Sequence, residues 1–204
     1  MKMQRVFSNE YSFFPKTWIL PSDASDLKQQ FNLKKSKTFI VKPVANCQGR
    51  GIYLTRDYER IDQRAGEQYV VQRYIHKPYL IDGLKFDMRI YVFVYGVDPL
   101  RIFVFREGLA RFATQEYQGP AKGNMDNLFM HLTNYAINKN ADNFEANDGG
   151  EDEGGHKRTV SSVLKFIENK EGVTVDQLWA EIDDIAVKTL ISAAPQLQHA
   201  YRAA

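Results

Sequence analysis

The chain has 204 residues, 44% hydrophobic and 13% aromatic, with a formal net charge of +2. This composition fits a soluble globular unit with one sizeable core or two small ones and excludes disordered and fibrous classes. Balanced charge gives no general nucleic-acid-binding surface, the single cysteine, Cys47, forms no internal disulfide, and no apolar run reaches the roughly 20 residues needed to span a bilayer.

Residues 7–21 mix aromatic side chains with Pro15 and Pro21 and read as irregular, whereas Asp23-Ala24-Ser25-Asp26-Leu27 carries a cap-then-acid helix start. A basic, linker-like patch, Lys34-Lys35-Ser36-Lys37, precedes a short strand, Thr38-Phe39-Ile40-Val41, which ends at Lys42-Pro43. The loop Asn46-Cys47-Gln48-Gly49-Arg50-Gly51 then feeds a second strand, Ile52-Tyr53-Leu54, so that the two strands make a hairpin. A short helix is expected over 58–64 and a strand over 68–75, broken by His76-Lys77-Pro78.

In Lys85-Phe86-Asp87-Met88-Arg89-Ile90, alternation places the three charges on one face of a strand and the apolar residues on the other. Beyond Arg89 both faces are apolar or aromatic, which predicts a strand buried on both sides. Val97-Asp98-Pro99 turns the chain into an antiparallel return over 100–105, and a second turn is expected at Glu107-Gly108 before 109–113. The segment 138–156 is rich in Asn, Asp, Glu and Gly and reads as a mobile surface loop. Two helices close the chain, one over 161–169 and one capped by Thr174 with Gln177, carrying a core stripe of Leu178, Ile182 and Ile185.

Several groups could carry chemistry. Lys42 followed by Gln48-Gly49-Arg50-Gly51 suits a phosphate, because glycines let backbone N–H groups approach an anion and the lysine adds a point charge. The loop matches neither the Walker pattern nor the dinucleotide fingerprint, and an ordinary glycine hairpin also explains it. Gln72-Arg73-Tyr74-Ile75 would offer a purine a strand edge with a free backbone donor and acceptor, or is simply a buried strand. Lys85, Asp87 and Arg89 would form a second cationic row with Asp87 orienting a neighbour; alone, the triplet is equally a salt-bridged strand end. Arg111 suits a carboxylate or is an ordinary surface arginine, and His131-Leu132-Thr133-Asn134-Tyr135 gathers polar groups that could also be a cap. No pair of histidines has ligand spacing and no nucleophile elbow is present, so what remains is anion chemistry suited to phosphoryl transfer.

Taken together the motifs resemble the tubulin-tyrosine-ligase-like enzymes of the ATP-grasp superfamily. The matching pieces begin with Phe14-Pro15-Lys16-Thr17-Trp18-Ile19-Leu20-Pro21, Ile40-Val41-Lys42-Pro43, Cys47-Gln48-Gly49-Arg50-Gly51-Ile52 and Val71-Gln72-Arg73-Tyr74-Ile75. They continue with the run from Leu80 to Arg89, Arg106-Glu107-Gly108-Leu109-Ala110-Arg111-Phe112, His131-Leu132-Thr133-Asn134-Tyr135 and His156-Lys157-Arg158. Among such enzymes the chain looks most similar to the polyglutamylases. The resemblance implies an α+β, ATP-grasp-like fold: an N-terminal segment and linker (1–37), a small antiparallel lid sheet (38–78), and a larger antiparallel sheet flanked by helices (79–204).

For the site, the resemblance implies that ATP is bound by Lys42, by Gln48, Gly49, Arg50, Gly51 and Ile52, by Gln72, Arg73, Tyr74 and Ile75, and by Lys85, Asp87, Thr133 and Asn134. Arg111, Tyr135 and Lys157 would hold the incoming glutamate, with Lys42, Arg111 and Lys157 as the catalytic set. The reaction implied transfers the ATP γ-phosphoryl group to a carboxylate in an acidic tubulin tail. The amine of free L-glutamate then attacks the acyl phosphate to give an isopeptide branch.

The implied cofactors are ATP and Mg²⁺, and the implied setting is a monomer on the microtubule cytoskeleton, cilium or basal body, engaging neither nucleic acid nor membrane. The family's magnesium-binding aspartate and glutamate-x-asparagine motif would lie beyond Ala204, which makes the chain an internal, C-terminally incomplete fragment with little activity of its own. A catalytically dead, microtubule-binding module of the same fold is the alternative.

Overall fold

A computed structural model describes residues 2–33, 37–61, 67–145 and 154–203. The elements in order are α1 (Lys2–Val6), β1 (Thr17–Leu20), α2 (Ala24–Phe31), β2 (Phe39–Pro43), β3 (Tyr53–Thr55), β4 (Tyr69–Arg73), β5 (Leu80–Ile81) and β6 (Leu84–Val97). They continue with β7 (Leu100–Phe112), α3 (Leu128–His131), α4 (Tyr135–Asn138), β8 (Lys157–Thr159), α5 (Val160–Glu171) and α6 (Val175–Ala203). The strands form two four-stranded sheets, ordered β1-β4-β2-β3 and β5-β6-β7-β8. The α+β expectation with two antiparallel sheets holds.

The chain divides into two compact units, one built mainly from 14–86 and 112–144, the other from 2–13, 87–111 and 145–204. In the first unit, β4 lies at the centre of its sheet, pairing Val71 with Trp18 of β1 on one side and with Val41 of β2 on the other. Cross-strand alternation sorts its residues into two buried clusters. Trp18, Leu20, Phe39, Val41 and Val71 pack with Leu27 of α2, and Phe39 stacks on Phe31 at 4.3 Å between centroids. Ile40, Leu54 and Tyr74 pack with Leu132 on the other face. Fully burying side chains of this size contributes about 1.5–3 kcal/mol each, so the short strands are held by packing rather than by length.

Three expectations change here. The stretch around Pro15 and Pro21 is not wholly irregular, since Thr17–Leu20 forms an outer strand. Its partner lies some fifty residues away in β4, a pairing that local composition does not show. Asp23 precedes α2 as expected, but its side chain makes no capping bond and instead accepts from the Ile19 amide at 2.9 Å. The helix expected over 58–64 is not formed by the described residues up to 61, which make turns and bends; 62–64 lie outside the described residues, as do Lys34, Lys35 and Ser36 of the basic patch.

In the second unit, β6 is not buried on both sides: Tyr91, Phe93 and Tyr95 are 53%, 61% and 66% exposed, with Phe103 and Phe105 of β7 similar. Apolar composition sets strand propensity but not which face is covered. The expected break at Glu107-Gly108 is also absent, because β7 runs through it. A Cβ on Gly108 would stand 2.3 Å from the Arg89 carbonyl oxygen, so this glycine serves close backbone approach rather than a turn. Glu107 accepts from the amides of Gly108, Val160 and Ser161 and from the Ser161 hydroxyl, binding β7 to the start of α5. Burial raises the Glu107 pKa, but these hydrogen bonds outweigh it and hold the group below its ordinary range.

The closing helices appear with their caps. Thr159 caps α5 through the Ser162 amide, and Thr174 and Gln177 form the reciprocal capping box of α6 at 3.2 and 3.0 Å. The core stripe of α6 does not form. None of its described residues is buried and Ile185 is 41% exposed. Its attachments are polar instead: Arg106 grips both oxygens of Asp183 at 2.9 and 2.7 Å while lying over the Trp179 ring, and Gln198 donates to the Val97 carbonyl.

Candidate nucleotide and amino-acid site

The first unit gathers most of the predicted nucleotide residues. Lys42 sits at the end of β2, and its register with Val70 puts it on the same sheet face as Ile40 and Gln72. On that face runs a polar chain: Lys42 Nζ donates to Gln72 Oε1 at 3.0 Å, and Gln72 Nε2 donates to Thr17 Oγ1 at 2.9 Å. Thr17 in turn donates to the Pro15 carbonyl at 2.7 Å. Among the described residues no carboxylate pairs with Lys42, and burial holds its pKa below the ordinary lysine value. A half-buried ammonium with a neutral partner is a poorly compensated charge.

The glycine loop takes the backbone shape its residues predict. Gln48, Gly49 and Gly51 have φ of 60°, 84° and 72°, a succession of left-handed residues that aims amides in directions a regular strand cannot. Gly49 rests against Asn134 and Ile137, where a Cβ would come within 2.8 Å of Ile137 Cδ1 and 3.2 Å of Asn134 Cγ. The loop is thereby joined to Asn134, the residue preceding α4, and to Thr133 beside it, which is buried. Arg50 is exposed, and Ile52 packs against the cluster of Ile40 and Leu54.

The segment 72–75 differs from expectation. Gln72 lies in a strand paired on both sides, the Arg73 amide donates to Lys16 and the Tyr74 amide to Thr38, so this stretch is not a free edge. Ile75, 56% exposed, is the first residue past the paired segment. The Tyr74 side chain points inward at 5% exposure. Its hydroxyl lies 3.1 Å from Lys85 Nζ and 3.1 Å from Nδ1 of fully buried His131. Lys85 also donates to the His131 carbonyl at 2.7 Å.

The second unit holds two of the three predicted carboxylate residues, Arg111 and Lys157. Arg111 grips Asp87 with both Nε and Nη2, at 2.8 and 2.7 Å, in the bidentate geometry that suits a guanidinium. Asp87 therefore orients Arg111 across the strands, while the exposed Arg89 makes no such pair with it. Strand β8 pairs with β7 so that Lys157 faces Arg111 directly, with Arg158 opposite Ala110 and Thr159 opposite Leu109. Like charges directly opposed are unfavourable without a counter-anion, and Asp87 supplies one carboxylate for the pair. Tyr135 belongs to the first unit, where it begins α4, is 44% exposed and meets Phe144 edge-on.

Both ends of the expected mobile loop are anchored. Asn138 is buried, accepting from the Thr114 amide and hydroxyl and donating to the Leu132 carbonyl. His156 is nearly buried, and its Nδ1 accepts from the Glu145 amide at 3.0 Å. Residues 146–153 lie outside the described residues.

The whole sequence supplies the family. Residues 1–203 match the tubulin-tyrosine ligase family. The chain belongs to that family. It is similar to a probable beta-tubulin polyglutamylase of Tetrahymena thermophila, 52% identical over 99% of this chain and 17% of that protein. Tubulin polyglutamylase TTLL6 of Homo sapiens is 46% identical over 98% of this chain and 22% of its own length, and TTLL7 of Xenopus tropicalis is 40% identical over 98% and 22%. The chain thus spans about a fifth of the length of these relatives.

In the sequence His131 stands out only as part of a dense polar run. Its signal was a histidine inside an otherwise apolar Phe129-Met130-His131-Leu132 stretch, which forecasts burial with a specific partner.

Proposed function

We propose that this chain forms the ATP-binding and glutamate-binding part of a ligase that adds glutamate to glutamate side chains in acidic tubulin tails. The observation that carries the reading is Lys42, a half-buried cation leaning on a neutral amide on the face that continues into a left-handed glycine loop. Such a charge is best satisfied by a polyanion, and backbone amides with one lysine are a suitable cradle for a triphosphate. Lys42 and Lys85 are assigned to the nucleotide phosphates, the loop 48–52 to covering them, and Ile75 with its neighbours to the base. Arg111 and Lys157 are assigned to a carboxylate of free glutamate, with Asp87 holding the guanidinium in plane.

In this reading the γ-phosphoryl group moves from ATP to a tail carboxylate, breaking the terminal phosphoanhydride bond and forming an acyl phosphate. The glutamate amine attacks the acyl carbon, losing a proton as phosphate departs and the isopeptide bond forms. The side chains supply positioning and charge stabilisation, which do most of the work in phosphoryl transfer. Among the described residues no group of three His, Cys, Asp or Glu side chains could hold a metal ion, so they do not by themselves provide a magnesium site.

The test is a pair of single substitutions read by two binding measurements. Lys42→Ala should weaken ATP binding by calorimetry about 10- to 100-fold, the equivalent of one charge-assisted hydrogen bond, with the KM for glutamate in a tubulin-labelling assay unchanged. Arg111→Ala should do the reverse. ATP affinity unaffected by loss of Lys42 would refute the nucleotide assignment.

A further inference from the structure

Lys85 is held by a hydrogen-bond chain whose direction a single carbonyl fixes. His131 Nε2 lies 3.1 Å from the Asn124 carbonyl oxygen, which can only accept, so Nε2 carries a proton, and in the neutral ring that burial favours Nδ1 is a bare acceptor. Nδ1 lies 3.1 Å from the Tyr74 oxygen, so the Tyr74 hydroxyl donates to it. The tyrosine oxygen then presents lone pairs to Lys85, whose ammonium donates at 3.1 Å and also stands 4.6 Å from the centre of the Tyr74 ring. Tyr117 also contacts the Tyr74 hydroxyl, but its own proton goes to the His76 carbonyl at 3.0 Å. It competes only as a phenol oxygen, a weaker acceptor than an imidazole nitrogen.

We infer that Tyr74, backed by neutral His131, is a positioning residue that fixes the Lys85 ammonium for the nucleotide, and that it does not contact the base with its own side chain. The inference rests on the assignment of Lys85 to the nucleotide. Burial foremost holds His131 below the ordinary histidine range, with the Lys85 charge acting in the same direction against the Asn124 hydrogen bond. Were His131 protonated, Nδ1 would become a donor, the Tyr74 hydroxyl would have to turn, and its lone pairs would be contested between imidazolium and ammonium. Among the described residues, Lys85, Tyr74 and Tyr117 are the titratable groups facing this imidazole.

Tyr74→Phe keeps the ring and its packing and deletes only the oxygen. In the whole protein it should raise the Kd for ATP and for ADP about tenfold by calorimetry while leaving the KM for glutamate unchanged. The double variant with Lys85→Ala should bind no more weakly than Lys85→Ala alone, because the oxygen acts through the lysine. If Lys85→Ala leaves ATP affinity unchanged, the nucleotide assignment itself fails. If Lys85→Ala weakens binding but Tyr74→Phe lowers only the Tm, or adds independently in the double variant, the positioning role is overturned. Should Tyr74→Phe not fold, His131→Asn, which keeps an acceptor, should preserve ATP affinity that His131→Leu loses about tenfold. Equal affinities for those two variants would likewise overturn it.

Discussion

Lys42 in the first unit leans on the neutral Gln72 amide, whereas Arg111 in the second is gripped by both oxygens of Asp87, so one cation is left open and the other closed. The difference separates two ways of binding an anion. An open, half-buried charge costs stability while empty and regains it when a phosphate arrives. A closed one is stable at rest, and an incoming carboxylate must share the guanidinium with the resident one. Opening suits a multiply charged ligand that can supply several contacts; closure suits a singly charged group whose selection depends on geometry.

The contrast can be broken in stability measurements without ligand. Asp87→Asn should lower stability by about 1–2 kcal/mol, seen as a reduced Tm, because it weakens a charge-assisted bidentate pair and leaves Arg111 facing Lys157. An unchanged Tm would mean that the pair is only a surface decoration.

A smaller, graded loss is expected in acid, and here both units behave alike. Burial foremost lowers the pKa of His131 in the first unit and of His156 in the second. With the folded value below the ordinary 6.5, the unfolded chain takes up the proton first, so stability is full above pH 6.5 and falls as pH drops through the folded values. A Tm that stays level from pH 7.5 to 5.5 would show that the two imidazoles are not held neutral. The smallest effect should have the opposite sign: Lys42→Met should leave the ligand-free Tm level or raise it by up to about 0.5 kcal/mol in stability. A clear loss would show that Lys42 is already compensated.

The parts legible in the sequence were those whose causes are local. Gly49 and Gly51 forecast a loop of left-handed residues, and Thr174 with Gln177 forecast a helix start, because glycine backbone freedom and a capping box are properties of adjacent residues. Asp82-Gly83, with φ of 54° and 73°, makes a two-residue turn between β5 and β6 that was not among the expectations, although its cause is equally local.

What could not be read depends on distant partners. Asp87 chooses Arg111, 24 residues on, over the nearby Arg89. Tyr74 turns inward because His131 waits 57 residues away, although its place in a Gln-Arg-Tyr-Ile run suggested a ligand-facing edge. The bareness of Tyr91, Phe93 and Tyr95 is likewise a fact about covering elements, on which strand composition is silent.

Glu107 acts as a gauge of chain length. By binding the amides of Val160 and Ser161 it fixes where α5 begins relative to β7, and only two residues separate Lys157 from that fixed point. Side chains alternate along a strand, so adding or deleting one residue between Lys157 and Val160 would turn Lys157 to the opposite face of the sheet while every residue type stayed the same. The spacing from Lys157 to the helix is thus a specification in its own right, as demanding as the identity of the lysine.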